Sequence, residues 1–368
     1  MQSRPRERRN LDLLRVVLGW TGREVSALDP ACFALVMATG TTSNAMLCVN
    51  QTGLSTALFL VNVVVFVWLV VATIWRTILF RAALRADLTH PRLVFSFFTL
   101  IAASNVLGLQ LDLRGFMTAA FLLWSFSLAI WYILTYFSFG LLMLFNSIPA
   151  AQIVVRGAWL FAIVGTQSLV LLGTRMVALT GGEYGEAILV LVHAFWGVGL
   201  ILYGLFLGQF IHRLLHKRVE PDDLTPLLWV VMGAAAISAN AGSLLVQTSL
   251  QQHSSYELRP FTDGVSLMIW AWGTWWIPLL AMFGFWKHVI RRVPLTYTPM
   301  LWGLVFPLAM YAVATYRLSD DFPPLRALSD LMSWVALFVW AATAVGLVTA
   351  SARSFRDFAR SAFFAPIR

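Results

Sequence analysis

Ten long apolar runs constrain what this chain can fold into more than any other feature. A helix crossing the hydrocarbon core of a bilayer needs about 20 consecutive, mostly apolar residues. Runs of that length fall at 29–49, 55–75, 93–111, 116–137 and 157–179, and again at 187–210, 224–246, 265–286, 299–316 and 330–350. Apolar residues continue past the fourth run through 137–151, which leaves nine or eleven spans as alternatives to ten. Only 12% of the 368 residues are charged, and mean hydropathy is +0.77. A soluble domain carries about 25% charged residues, so a water-soluble fold of this composition would lack the polar surface to cover itself. A transmembrane barrel would show alternating strands of about 10 residues. The runs here are continuous and longer, so the expected fold is an all-α integral membrane domain.

Charge tests the span count independently. With ten spans and the N-terminus inside, twenty-one of the 26 Lys and Arg residues fall on the inner side, in clusters at 4–23, 76–92, 213–218, 287–292 and 353–368 and at Arg156. Only Arg114, Arg175, Arg259, Arg317 and Arg326 fall outside. That asymmetry is what the positive-inside rule requires of a multi-pass protein with both termini in the cytoplasm. The net charge of +9 then reads as a cytoplasmic membrane surface facing anionic lipid, not as a nucleic-acid footprint. No signal peptide is expected, because the basic N-terminal stretch lacks an apolar core followed by a cleavage site.

The expected organisation is a basic cytoplasmic segment 1–28, a ten-helix transport domain 29–350 and a basic cytoplasmic tail 351–368. Leu11, Leu14, Val17 and Leu18 form one face of an interfacial helix within the first segment, or that segment is a frayed tail. No loop approaches the roughly 50 residues of a soluble domain. The two cysteines, Cys32 and Cys48, share the first span and lie too far apart along a helix to bridge.

Odd and even spans differ in kind. Twelve of the 16 tryptophans lie on even spans, whereas odd spans carry the small polar clusters: Thr39 to Asn44, Ser104-Asn105, Gly165 to Ser168, and Ser238 to Ser243. Bulky aromatics suit lipid contact; small polar residues suit helix–helix contact or a watery path. The pattern predicts five helical hairpins with odd helices as an inner pore ring and even helices outside. The competing reading is that the polar residues only glue helices together.

Enzyme chemistry finds no footing. Of the six histidines, only His193 lies within an expected span. His212 and His216 have zinc-like i,i+4 spacing but sit among Arg213, Lys217 and Arg218, whose charge opposes a cation. Acidic residues lie at or near span ends, and no paired intramembrane carboxylates, phosphate loop or nucleophile elbow is present. No enzyme activity, metal or cofactor is expected. Coupled carriers commonly keep an ionisable group within the membrane, and its absence here favours a passive path. An anion crossing apolar walls faces a cost of order 20 kcal/mol by the idealised Born estimate. Hydroxyls, amides and the backbone groups freed by Pro30, Pro278 and Pro307 supply solvation. Arg175 and Arg317, near outer ends, either draw anions to the mouth or snorkel to the interface.

Two stretches resemble a known family. Residues 29–40 read Asp-Pro-Ala-Cys-Phe-Ala-Leu-Val-Met-Ala-Thr-Gly, similar to the Pro-x-x-Phe…Met-x-Thr-Gly opening of the tellurite-resistance/dicarboxylate transporter family. That family includes the plant slow anion channels, fungal malate permeases and sulfite efflux pumps. Residues 302–310, Trp-Gly-Leu-Val-Phe-Pro-Leu-Ala-Met, resemble its ninth span. The resemblance implies five hairpins around a pore, usually as a homotrimer, with Phe306 as the residue that plugs the pore. Thr41 departs from the branched apolar residue common after Thr-Gly, and long cytoplasmic tails are missing.

The expected function is passage of a small anion such as chloride or nitrate. Candidate lining residues are Thr39, Thr42, Asn44, Asn105, Gln167, Asn240 and Pro307, with Phe306 as gate and Arg175 and Arg317 at the outer mouth. One alternative is a proton-linked carrier or exporter of C4-dicarboxylates, sulfite or an oxyanion. Another is a membrane scaffold or receptor that transports nothing. The expected partners are the lipid bilayer, the anion and two further copies of the chain.

Overall fold

The computed structural model of the chain describes residues 5–91, 93–145, 157–216, 220–252 and 256–364. Arg4, Arg92, Arg156, Lys217, Arg218, Arg368, His253 and the second half of the 137–151 stretch lie outside the described residues. The described residues form helices and no strands. In chain order these are α1 (Pro5–Ser26), α2 (Ala34–Cys48), α3 (Thr52–Leu79), α4 (Arg81–Leu88), α5 (Phe98–Asp112) and α6 (Met117–Phe145). They continue as α7 (Phe161–Thr180), α8 (Gly182–His216), α9 (Val230–Gln252), α10 (Arg259–Phe285), α11 (Trp302–Leu318) and α12 (Leu325–Phe364).

Ten of the segments are long and apolar enough to cross a membrane, which makes this a multi-pass membrane protein. They fall into two classes. The odd spans, built on α2, α5, α7, α9 and α11, are 19–26 residues long and 67–94% buried within the protein. The even spans, built on α3, α6, α8, α10 and α12, are 28–37 residues long and only 17–33% buried. Each odd helix packs against the even helix that follows it. The odd helices also touch one another in the cyclic order α2, α5, α7, α9, α11 and back to α2.

The sequence explains the split. Helices apolar or small on every side can be buried on every side, and the odd spans are of that type. Their small residues allow close approach. A Cβ placed on Gly233 of α9 would stand 2.7 Å from Pro307 Cγ of α11, so only glycine permits that crossing. Each odd span also opens with a 3-10 turn, at Pro30–Phe33, Val94–Phe97, Gly157–Leu160, Pro226–Trp229 and Pro299–Leu301. Proline suits the first turn, where its missing N–H has no intrahelical partner to lose. At Pro30 the preceding Asp29 caps the turn by accepting from Ala31 N at 2.7 Å.

The even-span tryptophans serve packing as well as lipid. Trp68, Trp275 and Trp334 are exposed, as lipid contact requires, but Trp124, Trp131, Trp196 and Trp276 are buried. Several donate their indole N–H to the inner layer. Trp124 bonds Leu169 O at 3.0 Å, Trp131 bonds Thr166 Oγ1 at 2.8 Å, and Trp196 bonds Ser238 O at 2.9 Å. Trp270 bonds Thr315 Oγ1 and Trp340 bonds Thr39 Oγ1, both at 2.9 Å. In a dry interior a polar group left unpaired costs about 1–3 kcal/mol, so these bonds tie α6 to α7, α8 to α9, α10 to α11 and α12 to α2.

The N-terminal segment is helical. α1 packs on α3 and α12. Trp20 Nε1 donates to Ser354 Oγ at 3.1 Å, and Ser354 donates to Glu24 Oε1 at 2.8 Å. Val17 and Leu18 stay exposed while Val25 is buried. Arg76 of α3 ties the region together, pairing with Asp87 of α4 at 2.7 Å and donating to Ser26 O at 3.3 Å.

Candidate functional site

All five inner helices contribute to one cavity of about 340 Å³, at the end of the bundle where they finish. α2 supplies Thr41, Asn44, Leu47 and Cys48; α5 supplies Val106, Leu109 and, just beyond it, Leu113; α7 supplies Leu171 and Arg175. α9 supplies Asn240, Leu244 and Gln247, and α11 supplies Met310, Val313, Tyr316 and Arg317. The numbers advance by three or four, with Cys48 and Arg317 each following the previous lining residue directly, so each helix presents one continuous face.

The electrostatics of that cavity are asymmetric. Arg175 Nε lies 2.6 Å from Asp112 Oδ2, so its charge is matched. Arg317 is different. Its Nη1 donates to Gln247 Oε1 at 3.3 Å, and its Nε has no hydrogen-bond partner. Among the described residues no carboxylate forms an ion pair with it; the nearby Asp320 is exposed. A half-buried guanidinium without a counter-charge is costly, and an anion in the cavity would relieve it. Two neutral groups add to the lining: Asn44 Oδ1 and Asn240 Oδ1 are buried without partners, while Asn240 Nδ2 donates to Met310 Sδ at 3.4 Å.

Other arginines at this end are structural. Arg326 donates to Cys48 O at 2.7 Å, lies 3.4 Å from Asp330 and stacks over Tyr316. Arg114, between α5 and α6, donates to Ser55 Oγ at 3.3 Å and lies over the Phe59 ring, where burial pulls its guanidinium below the ordinary arginine range.

Of the residues expected from sequence, the cavity brings together Asn44, Asn240, Arg175 and Arg317. The others lie elsewhere. Thr39 accepts from Trp340, and Thr42 Oγ1 donates to Ala38 O at 2.8 Å within its own helix. Asn105 Nδ2 bonds Ser168 Oγ at 3.0 Å, holding α5 to α7. Gln167 Nε2 donates to Trp196 O at 3.2 Å, leaving Gln167 Oε1 buried and unpartnered. Phe306 is fully buried and Pro307 packs at Gly233; neither touches the cavity. For Thr39 and Asn105 the helix-gluing role describes the contacts, whereas the Thr42 hydroxyl bonds within α2.

A family model described as voltage-dependent anion channel (SLAC1) matches residues 27–348, nearly the whole chain. The chain belongs to this family. An uncharacterized membrane protein of Mycobacterium tuberculosis is 39% identical over 151 residues, covering 40% of this chain and 76% of that protein. Two uncharacterized transporters of Methanocaldococcus jannaschii align over most of both chains. One is 24% identical over 327 residues, 86% of this chain and 91% of its own length. The other is 23% identical over 332 residues, 87% and 94% respectively. Membership in a family of anion transporters and channels agrees with the unmatched cation in a cavity built by every inner helix.

Sequence reasoning passed over Thr41, Gln247 and Tyr316 as lining residues. A signal for two of them was present. Thr41 lies three residues before Asn44, and Gln247 lies seven after Asn240, so each shares a helical face with a residue already singled out.

Proposed function

We propose that the chain provides a passive, channel-like path for small anions such as chloride or nitrate, along the axis enclosed by α2, α5, α7, α9 and α11, with Phe306 occluding it. The observation that carries this reading is Arg317: a guanidinium without an ion-pair partner, facing a cavity that all five inner helices line. Beneath the cavity, helical periodicity supports the gate. One turn back from Thr41, Val106, Leu171, Asn240 and Met310 stand Met37, Ala102, Gln167, Ala236 and Phe306, all fully buried. Phe306 is the largest of them, and the next layer of the path is closed. Gln167 of that layer turns its amide toward α8, donating to Trp196 O at 3.2 Å.

In this reading the protein sits in the cytoplasmic membrane with both termini inside. The basic segments 1–28 and 351–368 then lie on the cytoplasmic face, and the Arg317 cavity is the outer mouth. Three copies assemble side by side, each with its own path. Membrane potential drives the anion, at about 2.3 kcal/mol per charge per 100 mV.

The test is current across a planar bilayer containing the purified protein, with chloride, nitrate and malate exchanged on one side. A reversal potential that follows the anion gradient supports the channel. Absence of current, together with labelled-anion uptake that rises on acidification, replaces it with a proton-linked carrier.

A further inference from the structure

At the opposite end of the bundle lies a second cavity of about 390 Å³, between the 224–229 stretch that leads into α9, the end of α10, the 293–298 segment and the start of α11. Its walls are apolar, formed by Leu228, Leu280, Phe283, Leu301 and Leu304. Two lining residues at its edge, Phe285 and Leu295, are 58% and 75% exposed, so the opening presents apolar surface of the kind that faces acyl chains.

The polar end of this cavity is basic. Lys287 and His288 line it. Lys287 Nζ donates to Leu224 O at 2.9 Å, which leaves two of its three N–H groups uncommitted. His288 uses Nδ1 on Val293 O at 2.8 Å and keeps Nε2. Arg291 and Arg292 follow, both exposed and outside the lining, with the Arg291 guanidinium over the Trp286 ring at 4.9 Å. Among the described residues no carboxylate pairs with Lys287, Arg291 or Arg292. Of the acids in the adjoining turn, Asp223 pairs with Arg213, Glu220 caps the turn, and Asp222 is exposed. The backbone here is also irregular. Trp286–Ile290 forms a π-helical turn, and Arg292 has φ 55°, a left-handed conformation that a side chain disfavours. Such features concentrate at ligand sites.

An apolar slot with exposed apolar residues at its edge and an ammonium without a carboxylate partner in its lining fits one class of molecule. We propose that this cavity binds an anionic phospholipid, one acyl chain lying against Leu280, Phe283 and Leu304 and the phosphate meeting Lys287, with exposed Arg291 adding positive charge to the surrounding surface. A zwitterionic lipid carries its own cation and leaves the rim unmatched. Free phosphate uses the rim and leaves the slot empty. Leu301 and Leu304 precede Phe306 on the same stretch of chain, so an occupied slot steadies the start of α11. The site does not depend on the transport reading.

The test is native mass spectrometry of the full chain released from phosphatidylcholine vesicles containing a minor fraction of phosphatidylglycerol. Each basic residue at a membrane surface is worth about fivefold in anionic-lipid affinity. The wild type should retain one phosphatidylglycerol in preference to phosphatidylcholine, and the Lys287→Gln/Arg291→Gln variant should lose that preference by about 25-fold. Gly284→Leu separates slot from surface charge. Gly284 lines the cavity, and a Cβ there meets nothing within 4 Å, so the larger side chain fills the slot while every charge stays. Gly284→Leu should lose the lipid as fully as the charge variant does. Retention by either variant, or displacement of phosphatidylglycerol by inorganic phosphate alone, overturns the proposal.

Discussion

Replacing Arg317 by Gln removes the one unmatched charge of the five-helix cavity while keeping a side chain able to donate to Gln247. The size of the effect follows from where the charge sits. An anion touching the guanidinium stands about 4 Å from its centre, which is worth about 1 kcal/mol in bulk water and about 4 kcal/mol at an effective dielectric of 20. Arg317 is half-buried and the cavity opens at one end. After screening at physiological salt, about 1–2 kcal/mol remains, equivalent to about 5–30-fold in anion occupancy. Occupancy limits current only when anions are scarce. Conductance of Arg317→Gln should therefore fall at least about fivefold at low chloride and approach wild type at saturating chloride. Arg317→Lys should keep most of the current. The matched control is Arg175→Gln with Asp112→Asn, which removes a pair of zero net charge held at 2.6 Å. It should change conductance less than about twofold. Wild-type conductance from Arg317→Gln at low chloride, or equal damage from the control, would refute the reasoning.

Phe306→Ala should raise flux in protein that remains monodisperse in detergent; unchanged or lowered flux removes Phe306 as the gate. Trp340→Phe deletes the indole N–H that meets Thr39 Oγ1 at 2.9 Å, and should cost about 0.5–1.5 kcal/mol in thermal unfolding while leaving conductance unchanged. A change in ion selectivity there would return Thr39 to the conducting path. Gly233→Val drives a side chain into Pro307 and should destabilise by about 1–3 kcal/mol, seen as a lowered unfolding midpoint, because helix crossings this close tolerate no added volume.

The spans were legible because their signal is thermodynamic and long. About 20 apolar residues in a row have few alternatives to a bilayer, and the positive-inside count corrects an error in the middle of the chain. What the runs did not carry was their ends. The sixth was expected over 187–210, and the corresponding span is Gly182–His216. Its extra turns carry Glu183, Glu186, Arg213 and His216, polar residues that hydropathy scores as loop although a helix accommodates them readily. α12 continues likewise through Arg353, Arg356 and Arg360 to Phe364. There the helix is held by packing on α1, a contact that no local pattern encodes.

The site was less legible, for a reason that lies in the inner helices themselves. An amphipathic helix announces which side faces the core, because one stripe is apolar and the other is not. α2 and α5 carry no such stripe, since nearly every side of each is buried against a neighbour. Composition could therefore nominate the polar cluster Thr39 to Asn44 but could not say how it is rotated. The rotation decides the chemistry. Successive residues turn by about 100°, so Asn44 faces the cavity while Thr39 and Thr42 turn to a tryptophan and to their own backbone. The same rule makes the phase recoverable once one residue of a face is known. Arg317, seven residues beyond Met310, fixes the inward face of α11, and four residues before Met310 that face carries Phe306. A charge near the end of the helix and an aromatic near its middle thus share one helical face, and under the proposed channel reading perturbing Arg317 should act on entry and perturbing Phe306 on passage.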